Sequence, residues 1–571
     1  MNDDVAVVPR PVDTNLRLEG VPAFLERIYL ARGVRSRDEV DHRMQGLLNP
    51  SQLRDVDIAA QRIVDAIQRK ARILIIGDFD ADGATASALA VLVLRAFGHH
   101  DVDYLVPNRF EFGYGLSPEI VDVAAKRSPD LLITVDNGVS SVSGVARARE
   151  LGIDVVITDH HLPGNELPAA FAIVNPNHSD CGFPSKAMAG VGVIYYLLSV
   201  VRAQLSAQAW FKGKPPNLAD YLDLVALGTV ADVVPLDRNN RILVYQGLLR
   251  IRQGRCRPGI KALCERAKRD LATLETSDLG FAIGPRINAA GRLSDMSMGI
   301  RCLLAETLAE ARTLASALDE LNVVRRELEQ DMVSDAELIV AGHQIDVGNR
   351  FGVCVYDESW HQGVVGIVAG RLREKLNRPV VAFAEAGTAA PDELKGSGRS
   401  LPGLHLRDVL AELNAQYPGM LGRFGGHAMA AGLNIKRVHY PRFAMAFDQA
   451  VASHLDAAAL SRTIVTDGEL ATADLNLDVA QVLTAAGPWG QAFPEPQFHG
   501  EFDLVSQRIV GEHHLKLVVR HGGRLLDAIA FRRGPLPDGT IRILLVYRLQ
   551  KNDYGQYPTL QLVVEHLKPL P

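Results

Sequence analysis

Three aspartates fall at alternate positions in Asp78-Phe79-Asp80-Ala81-Asp82-Gly83. Like charges this close repel, and such a cluster stays ionised most readily around a cation. Hard carboxylate oxygens suit Mg²⁺ or Mn²⁺. Asp136-Asn137-Gly138, Asp159-His160-His161 and Asp232 add more carboxylates and two imidazoles. Brought together, carboxylates and histidine make a dinuclear metal site, and phosphoryl chemistry is its commonest use. Each stretch alone has a plainer reading: a helix-capping acidic turn after Asp78, a turn at Asp136, a surface loop at His160, a helix cap at Asp232. The metal reading rests on their coincidence.

The elements around them explain how they could converge. Ala71 to Gly77, Val102 to Pro107, Leu131 to Val135 and Val155 to Thr158 are short apolar, β-branched runs that read as strands. Helical patterns lie over Ile58 to Lys70, Ala84 to Leu94, Pro118 to Lys126 and Val142 to Glu150. Alternating strands and helices predict an α/β fold with a parallel, doubly wound sheet. Asp78, Asp80, Asp82, Asp136, Asp159, His160 and His161 all follow strands in the same sense, so they share its carboxyl edge. The apolar run from Leu222 brings in Asp232.

A chain of 571 residues predicts three or four domains. The net charge is −6, which is not the bulk footprint of a nucleic-acid binder. A metal-binding acid cluster would mask a local basic groove in that total. Five scattered cysteines form no CxxC pair, so neither a disulfide framework nor a thiolate zinc site is expected. A reducing cytoplasm fits best. The N-terminus has no apolar core of a secretory signal, and no apolar run reaches the roughly 18 residues of a membrane span, so no membrane contact is expected.

Ala305 to Val340 reads as one long helix, a rigid connector. A second α/β domain begins near Phe351, where Trp360 to Val368 has the form of a loop entering a helix. Gly396-Ser397-Gly398-Arg399-Ser400 reads as a glycine-flanked loop whose freed N–H groups, hydroxyl and guanidinium would cradle phosphate. Beyond Thr463, five short strands predict a small β-barrel of the OB type. From Glu501 onward there are ten Lys/Arg against seven Asp/Glu. Tyr547 and Tyr554 are candidates for stacking bases, whereas Phe531 is expected in the core. The expected divisions are an N-terminal extension (1–50), a catalytic domain (51–304), the connecting helix (305–342), a substrate-binding domain (343–460) and the barrel (461–571).

The acidic and histidine motifs together resemble the four motifs of the DHH phosphoesterases. Pro107 to Leu116, Gly284 to Leu293 and Gly425 to Gly432 narrow the resemblance to the RecJ type of single-strand-specific DNA exonuclease. That resemblance implies a DHH domain, a DHHA1-type domain and an OB-fold. It implies 5′-to-3′ digestion of single-stranded DNA to 5′-mononucleotides, in repair and recombination. Asp80, Asp82, Asp136, His160 and Asp232 would ligate two Mn²⁺ or Mg²⁺ ions, with Asp78 supporting or ligating. His161 would contact the scissile phosphate. Arg109, Arg286, Asn288, Ser397, Gly398, Arg399 and His427 are the expected substrate contacts. The family also suggests single-strand-binding protein and a RecQ-type helicase as partners, and a monomer. The pattern departs at Gly490-Gln491-Ala492-Phe493-Pro494-Glu495-Pro496, where the family has Gly-Asn ahead of Pro-Glu-Pro. Two alternatives stay open: a small-substrate DHH enzyme (oligoribonuclease, nucleotide phosphatase or pyrophosphatase), and a non-catalytic replication scaffold.

Overall fold

The computed structural model describes residues 5–107, 115–342, 349–387, 390–456, 459–511, 513–553 and 557–571. Arg109 and Tyr554 lie outside them. The chain divides into two units, one essentially Glu320–Ile464 and the other Val7–Asp319 with Val465–Pro571.

The larger unit holds a five-stranded parallel sheet. Its strands are β1 (Ile73–Gly77), β2 (Val102–Leu105), β3 (Leu131–Val135), β4 (Asp154–Thr158) and β5 (Ala172–Val174), in spatial order β2-β1-β3-β4-β5. β1, β3 and almost all of β4 are buried, as a sheet covered on both faces requires. The sequence reading missed β5, whose three residues are too few to show a period.

Helix α1 (Ala81–Ala96) follows β1 directly and is nearly all buried. Its small residues let it lie against α2 (Gly190–Ala207) and α3 (Leu222–Ala231). α2 corrects one expectation: its length and mean hydropathy of 1.3 do meet the demands of a membrane span. It is nevertheless mostly buried inside the protein, with an unbroken buried run from Gly190 to Leu198. A helix apolar on all sides is what a core position calls for.

The same unit carries a closed barrel of five strands: β11 (Phe498–Val510), β12 (His514–His521), β13 (Arg524–Ala530), β14 (Arg542–Asn552) and β15 (Thr559–Leu570). The order is β11-β12-β13-β15-β14, and the β13–β15 pair is parallel. Two aromatic assignments reverse. Tyr547 is 1% exposed, in phase with buried Ile543 and Leu545, whereas Phe531 is 56% exposed and meets His514 edge-on at 5.2 Å. Much of the basic excess is tied up locally, by Lys516–Asp527, Arg542–Glu501, and Arg548 with Glu495 and Glu565.

The smaller unit has a sheet in the order β9-β10-β8-β7-β6, from β6 (Val353–Tyr356), β7 (Val380–Glu385), β8 (Glu393–Arg399), β9 (Leu421–Gly426) and β10 (Ala430–Lys436). The expected loop at Gly396 to Arg399 is strand β8, paired with β7 on one side and β10 on the other. Its backbone N–H groups therefore serve the ladder and form no phosphate cradle. The glycines are there for packing: a Cβ on Gly396 would lie 2.5 Å from the Phe383 ring, and one on Gly398 would lie 2.7 Å from Leu406. Helix α4 (Leu308–Gly342) runs unbroken through the expected connector.

Candidate metal centre and phosphate site

Parallel strands deliver the acids to one edge. Asp78 follows β1, Asp136 follows β3, and Asp159 with His160 follows β4. Asp232 arrives from elsewhere, as the C-cap of α3 rather than the end of a strand. Ligand atoms of Asp82, His160 and Asp232 lie within 4.8 Å of one another, and so do those of Asp78, Asp80 and Asp136 and those of Asp136, His160 and His161. His160 Nε2 is 3.1 Å from Asp136 Oδ1 and 3.5 Å from Asp232 Oδ2.

The electrostatics of this cluster call for cations. Burial, with the charge of Asp80 added, pushes Asp82 up to about 7. Burial and the other aspartates raise Asp136 and Asp232 well above the ordinary carboxylate range. Like carboxylates in low dielectric cannot all ionise without a compensating charge. The donor set, carboxylate oxygens plus imidazole, fits Mn²⁺ or Mg²⁺.

Several contacts fix the cluster. Asp80 caps α1 by accepting from the Gly83 N–H at 3.0 Å. Asp82 accepts from the Gly190 and Val191 N–H groups at 2.6 and 2.9 Å, so the N-terminus of α2 points its unsatisfied donors at a candidate ligand carboxylate. Asp136 holds φ 63°, a left-handed conformation that aspartate tolerates better than most residues. Asp159 accepts from the Val139, His160 and His161 N–H groups, and His161 Nδ1 lies 2.8 Å from Asp159 Oδ1. Burial pushes Asp159 upward, but its bond to His161, the charges of both histidines and the Val139 N–H hold it at about 2. Burial lowers His161, but Asp159 outweighs it and raises the imidazole to about 9.

Sequence reasoning missed the glycines that make room. A Cβ on Gly190 would sit 2.5 Å from Asp136 Cβ, and one on Gly228 would sit 2.9 Å from Asp82 Oδ1. Both lie in apolar runs that read simply as core. Gly190→Ala should destabilise the chain by about 1–3 kcal/mol, the range for overpacking, as urea denaturation would measure.

The expected substrate contacts fall into two groups. In the larger unit, Asn288 Oδ1 accepts from the Ala81 N–H at 2.7 Å, so it anchors the acidic turn. Arg286 is held by Asp319 at 2.9 Å and by the Ala282 carbonyl. In the smaller unit, Ser397, Gly398 and Arg399 lie on β8, and Arg399 pairs with Ala430 across β10. His427 occupies the hairpin beside Ala430, with its N–H donating to the Ala430 carbonyl at 2.8 Å. Arg399 donates to Ser397 Oγ at 3.1 Å and to the Gly398 carbonyl at 2.8 Å. Burial and the neighbouring Arg373 charge depress Arg399 below the usual arginine value, so this guanidinium favours an anion. The first turn of helix Val365–Leu376 comes against the same side chains. A Cβ on Gly366 would be 2.8 Å from Ser397 Oγ and 2.9 Å from Arg399 Nη2.

Sequence models of known families match each part. The DHH family N-terminal domain matches residues 72–229, the DHHA1 domain 348–453 and the RecJ OB domain 466–566. The chain is 51% identical to the single-stranded-DNA-specific exonuclease RecJ of Escherichia coli, covering 100% of both chains. The chain belongs to the RecJ family. RecJ of Thermus thermophilus in complex with Mn²⁺ superposes with TM-score 0.81 at 28% identity, covering 100% of this chain and 80% of that one. The Mg²⁺ complex of the same RecJ gives TM-score 0.75 at 26% identity, with the same coverage. Relatives therefore bear either ion, in a fold that shares the parallel sheet, the DHHA1 domain and the barrel described above.

Proposed function

We propose that this chain is a metal-dependent exonuclease that degrades single-stranded DNA from the 5′ end to 5′-mononucleotides. The observation that carries the reading is the convergence of Asp78, Asp80, Asp82, Asp136 and Asp232 with His160, all buried or half-buried, in a chain half identical to a single-stranded-DNA-specific exonuclease. Asp80, Asp82, Asp136, His160 and Asp232 would hold two Mn²⁺ or Mg²⁺ ions, with Asp78 in support. When bound, the ions supply Lewis acidity and a nucleophile drawn from water. His161, oriented by Asp159, would donate to the scissile phosphate. Ser397 and Arg399 would bind the terminal 5′-phosphate, helped by the helix N-terminus at Gly366. Arg109, Arg286 and His427 would contact the strand, and Asn288 would act by anchoring the acidic turn.

A role in DNA repair and recombination suits that activity. The expected divisions at residues 50, 304, 342 and 460 remain our working domain limits. We also propose a cytoplasmic monomer that meets single-strand-binding protein and a RecQ-type helicase. The test is digestion of strands labelled separately at each end, with Mn²⁺. Mononucleotides from the 5′ label first support the reading, and release from the 3′ label first overturns it.

The barrel is the proposed DNA grip. Removing residues from Thr463 onward should raise the strand concentration for half-maximal rate, because Leu525, Phe531, Ile541 and Tyr557 present exposed apolar surface there. Steady-state kinetics on long strands would read the change, and unchanged affinity would exclude the barrel from binding.

A further inference from the structure

The Gly487–Pro496 stretch, which contains the departure from the family pattern at Gly490–Pro496, lies against Leu236, four residues past the metal-ligand candidate Asp232. Asp232 ends α3, and the next residue, Val233, has φ 62°. A β-branched side chain adopts that left-handed backbone only under strain. Such strain persists where the surroundings over-determine it. Packing does not supply that here: Val233 is 62% exposed, and a cavity of about 350 Å³ separates Val233 and Val234 from Trp489 and Pro494.

One restraint is local, the Val233 N–H donating to the Val230 carbonyl at 3.3 Å, and a second lies three residues on, at Leu236. Its N–H donates to the Gln491 carbonyl at 2.8 Å, and its own carbonyl accepts from Arg241 Nη1 at 2.9 Å. Arg241 also sits 4.2 Å over the Phe493 ring, which stacks on Trp489 at 5.2 Å. Gly490 and Phe493 exchange two backbone hydrogen bonds, at 2.9 and 3.1 Å, which shape the loop. Gly490 is pressed against Leu236: a Cβ there would lie 2.7 Å from Leu236 Cδ1. The loop thus holds Leu236 by its N–H and its side chain, while Arg241, itself against the Phe493 ring, holds the Leu236 carbonyl, and together they restrain the strained link to Asp232.

We propose that the Gly487–Pro496 loop is a positioning device for the metal centre, setting the place of the Asp232 carboxylate through Leu236. Gly490 and Val233 are its positioning residues. The inference rests on the two-metal reading. The same loop leads straight into the first barrel strand, so the barrel and the carboxylate share one tether.

The experiment is Mn²⁺ binding to the metal-free full chain, followed by the electron paramagnetic resonance of free Mn²⁺, alongside thermal melting. Gly490→Ala should weaken Mn²⁺ binding about tenfold, the low end for groups that orient metal ligands. Its kcat should recover at saturating Mn²⁺, with the KM for DNA unmoved. Adding Leu236→Val opens space for the new methyl and should restore the affinity. Val233→Gly relieves the backbone strain, so it should melt no lower than wild type yet bind Mn²⁺ more weakly. A purely structural loop would give the opposite: lower melting for Gly490→Ala and wild-type Mn²⁺ affinity in both single variants, which would overturn the proposal. Failure of the wild type itself to take up Mn²⁺ would overturn the two-metal reading with it.

Discussion

Asp136→Asn should abolish strand digestion and, in the absence of metal, melt above the wild type. The activity loss follows from removing a carboxylate whose atoms reach both ligand groups, the one with Asp78 and Asp80 and the one with His160. Metal ions contribute several kcal/mol of transition-state stabilisation, so the rate should fall at least about a thousandfold. Asparagine is the right substitute. It keeps the shape and tolerates φ 63°, where alanine would add backbone strain of its own. The stability gain has a separate origin. Burial and four neighbouring aspartates oppose the Asp136 charge, and a neutral amide escapes that opposition. Each kcal/mol relieved should raise the melting temperature by about 1 °C in a unit of this size. With Mn²⁺ added the order should invert, because only the wild type gains the full linkage from binding. Melting curves with chelator and with Mn²⁺ check both halves. Retention of a tenth of the wild-type rate would refute the assignment of Asp136.

Arg399→Ala should weaken digestion of 5′-phosphorylated strands by about 1.5–3 kcal/mol, the range for a hydrogen bond to a charged group. That corresponds to a loss of roughly ten- to a hundredfold in kcat/KM. Strands with a 5′-hydroxyl should lose much less. A terminal phosphate carries more charge than an internal phosphodiester, and a planar guanidinium reads it through paired donors. Arg399 suits that task because its own surroundings disfavour a bare cation: it is largely buried, and Arg373 lies close by. Gly366 matters to the same subsite, since any side chain there would collide with Ser397 and Arg399. The measurement is a rate comparison on the two substrates. Equal losses on both would reduce Arg399 to a general backbone contact.

The catalytic unit was legible because its signals are local and repeated. Apolar runs mark β1, β3 and β4, and an acid or histidine ends each of them. Asp232 was found for its charge but not for its setting, since an apolar run of ten residues does not distinguish strand from helix. The Gly396 to Arg399 stretch misled because glycine and serine usually signal a loop. Here glycine answers the pressure of Phe383 and Leu406, which only the packed sheet reveals. Tyr547 could have been placed correctly from its two-residue phase with Ile543 and Leu545. Phe531 lies just past the end of β13, where that phase stops. The donors that α2 offers to Asp82 left no trace, because the residues supplying them differ in no way from core.

Asp232 follows Asp78 by 154 residues, and it joins the site only when α3 has packed against α1. During synthesis, at roughly 5–20 residues per second, the first acids therefore leave the ribosome many seconds before the last one. A nascent chain that ends just past His161 carries the first acids and His160 but lacks Asp232 and the Gly190 and Val191 donors. It can hold metal only loosely. On the proposed two-metal reading, metal capture is thereby deferred to a late folding stage, and the newborn enzyme would stay inert until its fold is nearly complete.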